Sequence, residues 1–522
     1  MPVALIPQPT SLRTGGPHGH EVRPGAALTV PSSLRAAASA LLHDLVRDGG
    51  PALRLDDGGA IEAIVDPARA REEPAAGLRL GAEGTDEGYR LTVRPEGIRI
   101  LAATDVGAFR GLTTLRQLLA LASPGADGSI LLEAVEIEDR PRFAWRSLLL
   151  DVARHYYSVA EVCEVIDLLA LYKFNAMQLH LVDNEAWRIE VDGHPELTAA
   201  TPERYTRDDL AAIVAHAALR HIQIIPDIDL PGHCAAFIRA RPDLGVLVHT
   251  GERDVAYADP DADGLWDLLR EIYRQLLDIT ASPVIHVGGD EAFRMPDDLY
   301  GVFVRRALQL VRDFDVRPIA FQEGSRAGFG PDDVAQVWID FAGPGGDLDK
   351  LEALAAAGQP LPAGMPARIL PFYGTAAGDL ARAQEQGAGI LVSPTRVAYF
   401  DTPHAEPSLD EAQTVRRPHL GLDVYSPRTL REFYEWDPAT AFAGLRPERI
   451  AGVEATMWAD TITETEEMQL LLTTRLPGFA ERAWSPAEEG VWDEYRDRLS
   501  LHPRIWSARG IGFYRSALVD WS

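Results

Sequence analysis

Cysteine is almost absent from these 522 residues: only Cys163 and Cys234 are present. Two thiols build neither a disulfide framework nor a cysteine metal site, so both are expected as reduced, buried side chains. Long apolar runs are missing as well. Nowhere do 18 apolar residues follow one another, and no membrane-spanning helix is expected. The opening MPVALIPQPTSLRTGG lacks a basic stretch followed by a long apolar one, so a cytoplasmic chain is expected. Basic charge is scarce: 50 Lys and Arg stand against 78 Asp and Glu, a formal balance of -28. Such a surface disfavours nucleic acid and anionic membranes, and a neutral or cationic partner fits better. Internal repeats and low-complexity segments are lacking too.

What is present is an ordinary globular composition, too long for one small domain. Residues 1–140 alternate short strand patterns (ALTV, YRLTV, GIRILAAT) with helical ones (SLRAAASALLHDLV, VGAFRGLTTLRQLLALA) and are expected to form a small α+β domain. Pro141 and the charges of EIEDRPRFAWR mark its end. From 141 to 522 apolar runs recur, mostly separated by helical segments. They are SLLLDVARH (147–155), AMQLHLVD (176–183), IQIIPDIDLPGH (222–233), PVIHVGGDE (283–291), PIAFQE (318–323), VAQVWID (334–340), GILVSPTRVAYFD (389–401) and IAGVEATMWAD (450–460). Eight such runs with helices between them predict an α/β fold, a (β/α)8 TIM barrel. Two places depart from the ideal. Only GSRAGFGPDD separates the fifth and sixth runs, too short for a crossover helix, and residues 341–388 read as an insertion on the functional face. The aromatics of the final segment, SLHPRIWSARGIGFYRSALVDWS, are expected to pack on the barrel as a C-terminal helical extension.

Most of these runs end in ionisable or aromatic residues, and in a barrel such ends converge on one face, where active sites of this fold are built. HVGGDEAF is the sharpest case, with Asp290 beside Glu291 after two glycines and a buried-looking strand. A solvated acidic turn is the plainer reading of Asp-Glu, but the apolar run before it argues for a carboxylate pair at a cleft. Metal-assisted hydrolysis and glycoside cleavage both fit a mouth of His and carboxylates. Against the first, the opening barrel run has no H-x-H pair. Trp338 and Trp458 suit a sugar better than an ion, because aromatic faces stack on pyranose C–H patches while carboxylates and Arg take its hydroxyls.

The sequence resembles glycoside hydrolase family 20, the β-N-acetylhexosaminidases, over nearly its whole length. The likeness rests on LLLDVARHYYSVAEVCEVIDLLALYKFNAMQLHLVDNEAWRIEVDGHPELT, IIPDIDLPGH, HVGGDEAF, GVEATMWAD and FAERAWSP, with LIPQP and YRLTVRPEGIRILAATDVGAFRGLTTLRQLL matching that family's non-catalytic domain. The family is a recognised exception to the scheme in which two carboxyl groups flank the bond. The resemblance implies that the substrate's 2-acetamido oxygen attacks C1 and forms an oxazolinium ion. It makes Glu291 the general acid and base, Asp290 the partner of the acetamido N–H, and Tyr399 the donor to the acetamido oxygen. Asp183 and His233 then form a relay behind the acid, and Arg154, Asp401 and Asp460 hold sugar hydroxyls. Trp338 and Trp458 become walls of the acetamido pocket. The plainer readings are a turn histidine for His233, a rim salt bridge for Arg154, loop solvation for Asp401 and Asp460, and core aromatics for the tryptophans. His286 is expected as a satisfied core histidine.

Four positions depart from the family pattern. Phe321-Gln322-Glu323 stands where Trp-Asp-Glu is usual, which should open one wall of the pocket; Asn184 replaces a common Asp, and Asp460 a common Glu. The resemblance implies an exo-acting enzyme releasing terminal GlcNAc or GalNAc from a small oligosaccharide or glycoconjugate, with no cofactor and no metal. A homodimer is compatible with it. A catalytically silent sugar-binding barrel and a member specialised for a modified N-acylhexosamine are the alternatives.

Overall fold

The computed structural model describes residues 3–521 apart from 16–18, 70–74, 81–85, 250–253, 341–354, 357–372 and 488–490. Its amino-terminal part is a seven-stranded sheet in the order Ser11–Thr14, Val135–Asp139, Tyr89–Arg94, Gly97–Ala102, Ile61–Val65, Ala27–Thr29 and Arg54–Leu55. Alternation decides which face is covered: Tyr89, Leu91 and Val93 on one strand and Ile98, Ile100 and Ala102 on the next are buried, and two helices, Arg35–Arg47 and Asp105–Leu121, supply the cover. Thr104 starts the second helix by accepting the Gly107 N–H at 3.0 Å. That helix is buried nearly all round because it lies between this sheet and the barrel. Gln117 makes the junction specific, donating to the carbonyls of Ile6 (2.6 Å) and Leu171 (2.8 Å). Asp139 accepts from Lys173 Nζ (2.8 Å), Tyr89 Oη (2.6 Å) and Trp484 Nε1 (2.9 Å), so its buried charge is paired and saturated.

Eight parallel strands then close into a barrel: β1 (Arg146–Asp151), β2 (Ala176–His180), β3 (Gln223–Asp227), β4 (Val284–His286), β5 (Arg317–Phe321), β6 (Val334–Val337), β7 (Gly389–Val392) and β8 (Ile450–Met457). The ring shuts where Arg146 pairs with Val453. Almost every strand residue is buried, as expected when helices cover the outside and side chains fill the inside. Helices Val159–Leu171, Arg207–Ala218, Leu265–Thr280 and Asp297–Arg312 form the outer ring of the first half. The first two begin with reciprocal capping boxes, Ser158 with Glu161 and Thr206 with Asp209. Between β5 and β6 the chain makes only a short 3-10 turn, Gln322–Arg326, in line with the irregularity read from GSRAGFGPDD. Most of the insertion read over 341–388 lies outside the described residues.

The strands are shorter than the apolar runs suggest. The run 283–291 yields a strand of Val284–His286 only, since Gly288 and Gly289 adopt φ of 75° and 100° and turn the chain out of the ladder. Gly288 has to be glycine, because a Cβ there would sit 1.8 Å from Asp229 Oδ1. Asp290 and Glu291 therefore leave on a loop at the barrel mouth. A hairpin after β3, Gly245–His249 with Asp254–Ala258, has no forerunner in the sequence reading. At the carboxyl end Trp506 is buried and donates to Tyr172 Oη at 2.9 Å, with Phe513 and Trp521 packed on its ring.

Candidate active site

The first four strands deliver a buried ionic layer to the mouth. His180, on β2, lies 2.8 Å from Asp227 through Nδ1 and 3.2 Å from Asp183 through Nε2. Burial opposes its charge, but Asp227 and Asp183 outweigh burial and hold the imidazole well above its usual pKa. His286 accepts the Gly288 N–H at 3.0 Å, so it braces the turn that carries the carboxylate pair.

Above this layer the predicted relay is assembled from three strand ends. His233 Nδ1 lies 3.1 Å from Asp183, and its Nε2 points at Glu291 Oε2 (3.5 Å) and Asp290 Oδ2 (3.9 Å). Burial lowers the affinity of His233 for a proton, yet Asp183 and Asp290 raise it well above the imidazole range. Asp183 is correspondingly held well below the carboxylate range, with burial overcome by Arg154 and His233. His233 and Glu291 both sit in the left-handed region, φ 45° and 42°. Such a backbone costs roughly 1–2 kcal/mol per non-glycine residue and persists only where the surroundings enforce it.

Asp290 is nearly enclosed, and burial followed by the neighbouring Asp229 carboxylate pushes its pKa well up. Asp229, which accepts the Gly289 N–H at 3.2 Å, is raised from 3.8 to about 6, first by burial. Asp229, His233 and Asp290 each offer one polar atom within 4.8 Å of the others. Asp229 carries a stability cost that depends on pH. Because its folded pKa exceeds its unfolded value, stability is intact below about pH 4 and falls as pH rises through about 6. Asp229→Asn is expected to remove that fall, worth up to about 3 kcal/mol. Denaturant unfolding of both proteins at pH 4 and pH 7 measures it, and an identical pH dependence would count against the assignment.

Aromatic side chains close the other half of the mouth. Trp338, just past β6, stacks on Tyr399 with centroids 6.1 Å apart, and Trp458, just past β8, tilts against Tyr399 at 6.1 Å. Phe321 is fully buried at the base, edge-on to His286 at 4.5 Å and 6.4 Å from Trp458. Gln322, the other departure in that triplet, and the retained Glu323 hold Trp338: Gln322 Oε1 accepts its backbone N–H at 2.9 Å, and Glu323 accepts its indole N–H at 3.3 Å. Arg154 crosses the rim, with its guanidinium on Asp151 (2.9 Å), Asp183 (2.7 Å) and Asp460 (3.4 Å) and its plane over Trp458. Asp401 is buried, and neither of its carboxylate oxygens has a hydrogen-bond partner among the described residues. Burial, then Asp460, raises its pKa well up. An acceptor in that state suits a ligand hydroxyl.

All eleven residues singled out in the sequence thus converge on one mouth. Among the described residues, two loop tyrosines that were not singled out join them. Tyr373 donates a hydrogen bond to Glu291 Oε1, and Tyr425 lies edge-on to Tyr399 at 5.8 Å. Both stand on long connections after β6 and β7, where no periodic pattern marks a side chain as inward.

The description "Glycosyl hydrolase family 20, catalytic domain" matches residues 143–296 and 369–487, and "Glycosyl hydrolase family 20, domain 2" matches residues 3–140. The chain belongs to glycosyl hydrolase family 20. It is a glycoside hydrolase by that membership. A relative from Cellulomonas fimi, a β-N-acetylhexosaminidase, is 32% identical across 99% of this chain and 97% of its own. Among solved structures, the N-acetyl-β-hexosaminidase of Streptomyces plicatus superposes with a TM-score of 0.80 at 28% identity, covering 100% of this chain and 98% of its own. The family 20 β-N-acetylhexosaminidase of Streptomyces coelicolor does so with 0.80 at 29% identity, covering 100% and 99%. In this family 20 chain the catalytic description leaves residues 297–368 unmatched, and that interval contains β5, β6, Phe321 and Trp338.

Proposed function

We propose that the chain is an exo-acting β-N-acetylhexosaminidase that releases terminal GlcNAc or GalNAc with retention, using the substrate's own 2-acetamido oxygen as nucleophile. One observation carries this reading. Asp290 and Glu291 are sequence neighbours that face the same imidazole nitrogen, 3.9 and 3.5 Å away. A pair that flanks a glycosidic bond as acid and nucleophile approaches from two sides, about 5 to 5.5 Å apart. Carboxylates on one side leave the opposite face of C1 to a nucleophile within the sugar.

On this reading Glu291 protonates the leaving oxygen and then activates water, with His233 and Asp183 behind it. Tyr399 donates to the acetamido oxygen and fixes the angle of attack. Asp290 is a carboxyl whose charge is disfavoured by burial and by Asp229. Positive charge developing on the acetamido nitrogen offsets both, so the interaction strengthens toward the transition state. Trp338 and Trp458 enclose the acetamido group over Phe321, and Arg154, Asp401 and Asp460 take the hydroxyls. Residues 1–140 are a non-catalytic domain and residues 141–522 the catalytic barrel with its helical extension. Among the described residues no helix is long and apolar enough to cross a membrane.

Turnover of a chromogenic N-acetylglucosaminide tests the reading directly, and a folded but inactive parent would favour a silent sugar-binding barrel. Tyr399→Phe and Asp290→Asn are each expected to lower kcat by roughly 10- to 1000-fold with a smaller change in KM. A change in KM alone for both would rule out assistance by the acetamido group.

A further inference from the structure

We propose that Tyr373 is a positioning residue for the general acid, gripping the oxygen of Glu291 that His233 does not face. The inference rests on the reading of Glu291 as the acid. Tyr373 Oη donates to Glu291 Oε1, while Oε2 lies 3.5 Å from His233 Nε2. Tyr373 thus anchors one oxygen of the carboxyl and leaves the other turned toward His233.

The phenol is itself held in place. Its ring is buried edge-on against Trp338, centroids 6.2 Å apart and planes at 88°. Six residues on, the buried Asp379 accepts from Arg326 Nη2 (2.8 Å) and Ser325 Oγ (3.3 Å), both on the turn that follows β5. This anchor ties the segment bearing Tyr373 to the barrel. Burial, then the Glu291 charge, pushes the phenol pKa well up, so Tyr373 remains a neutral donor at any working pH. Among the described residues, other titratable groups facing Glu291 include Asp290 beside it, His233 after β3 and Tyr425 after β7.

Two consequences follow for the acid step. Glu291 transfers its proton to the glycosidic oxygen as the C1–O bond breaks and the acetamido oxygen bonds to C1; the carboxyl becomes a carboxylate, and Tyr373 keeps its proton. A hydrogen bond to a carboxylate is stronger than one to a carboxyl, so the Tyr373 donor aids release of that proton. A carboxyl anchored at Oε1 also presents Oε2 in a fixed direction.

Tyr373→Phe keeps the ring against Trp338 and deletes the donor. Its kcat/KM is measured against pH on a series of aryl N-acetylglucosaminides and on chitobiose, with active sites counted by titration with a thiazoline mimic of the cyclised sugar. Misfolded protein lowers the site count and leaves the profile per site unmoved. We expect the basic limb to rise by about one pH unit, and kcat per site to fall roughly 10- to 100-fold on chitobiose and only a few-fold on the most activated aryl glycoside. Glu291→Gln, run beside it, shows whether that limb belongs to Glu291. If the limb persists in Glu291→Gln, the reading of the acid is wrong. If it vanishes there but stays in place in Tyr373→Phe, or if Tyr373→Phe raises KM alone, the role given to Tyr373 is overturned.

Discussion

A β-glucoside with a plain 2-hydroxyl and the same leaving group is expected to react at least about 10,000-fold more slowly than the N-acetylglucosaminide. The acetamido oxygen is an internal nucleophile held next to C1, and well-oriented intramolecular attack is worth about 7 to 11 kcal/mol. Among the described residues nothing in the mouth replaces it. Asp290 lies on the same loop as Glu291 and faces the same nitrogen of His233, so it cannot attack C1 from the face opposite the acid. Asp401 and Asp460 lie past β7 and β8, where Asp460 is engaged by Arg154 at 3.4 Å. The comparison is made as kcat/KM on paired 4-nitrophenyl glycosides. Rates within tenfold of each other would mean that a protein carboxylate is the nucleophile.

Glu291→Gln is expected to lose roughly 100- to 10,000-fold in kcat on chitobiose, the range general acid catalysis supplies. The amide keeps the shape of the side chain and can still meet Tyr373 and His233, so sugar binding should be largely spared. The loss should shrink on an aryl glycoside whose leaving group needs no proton, until the second step, which needs Glu291 as base, takes over. Near-normal turnover of chitobiose would remove Glu291 from the role. A uniform loss on all leaving groups, with KM raised in step, would make it a binding residue instead.

Much of this site is legible in the sequence because a barrel translates position along the chain into position in space. A residue just past the end of a strand must lie at the mouth, so the positions of Asp183, His233, Asp290, Trp338 and Trp458 along the chain already gather them there. The resemblance to family 20 added roles for these residues, and the family match agrees with it. Tyr373 and Tyr425 were invisible for the converse reason. They stand on connections without periodicity, and only folding decides which side chain of such a segment turns inward.

Charge state is the second thing the linear order conceals. Asp229 lies four residues before His233, and nothing in that spacing says that it presses on Asp290 or that burial lifts it to about 6. The turn at Gly288 brings the β3 and β4 ends together, and the low dielectric there turns proximity into a shift. The strand ends called for a carboxylate at 290 and another at 291. Only the packing around them buried Asp290 against Asp229 and left Glu291 between His233 and Tyr373.

By itself, then, the sequence determined the eight-strand order, the α+β domain before it and the identity of the chemical groups at the mouth. Those follow from hydrophobic periodicity and strand ends, which are local properties of the chain. The tertiary structure alone decided which oxygen each donor meets, which acids are buried against one another and which loop aromatics join the pocket. Those depend on distance and burial between residues up to 308 positions apart, such as the Ala459 N–H that Asp151 accepts at 3.1 Å, and no local pattern encodes them.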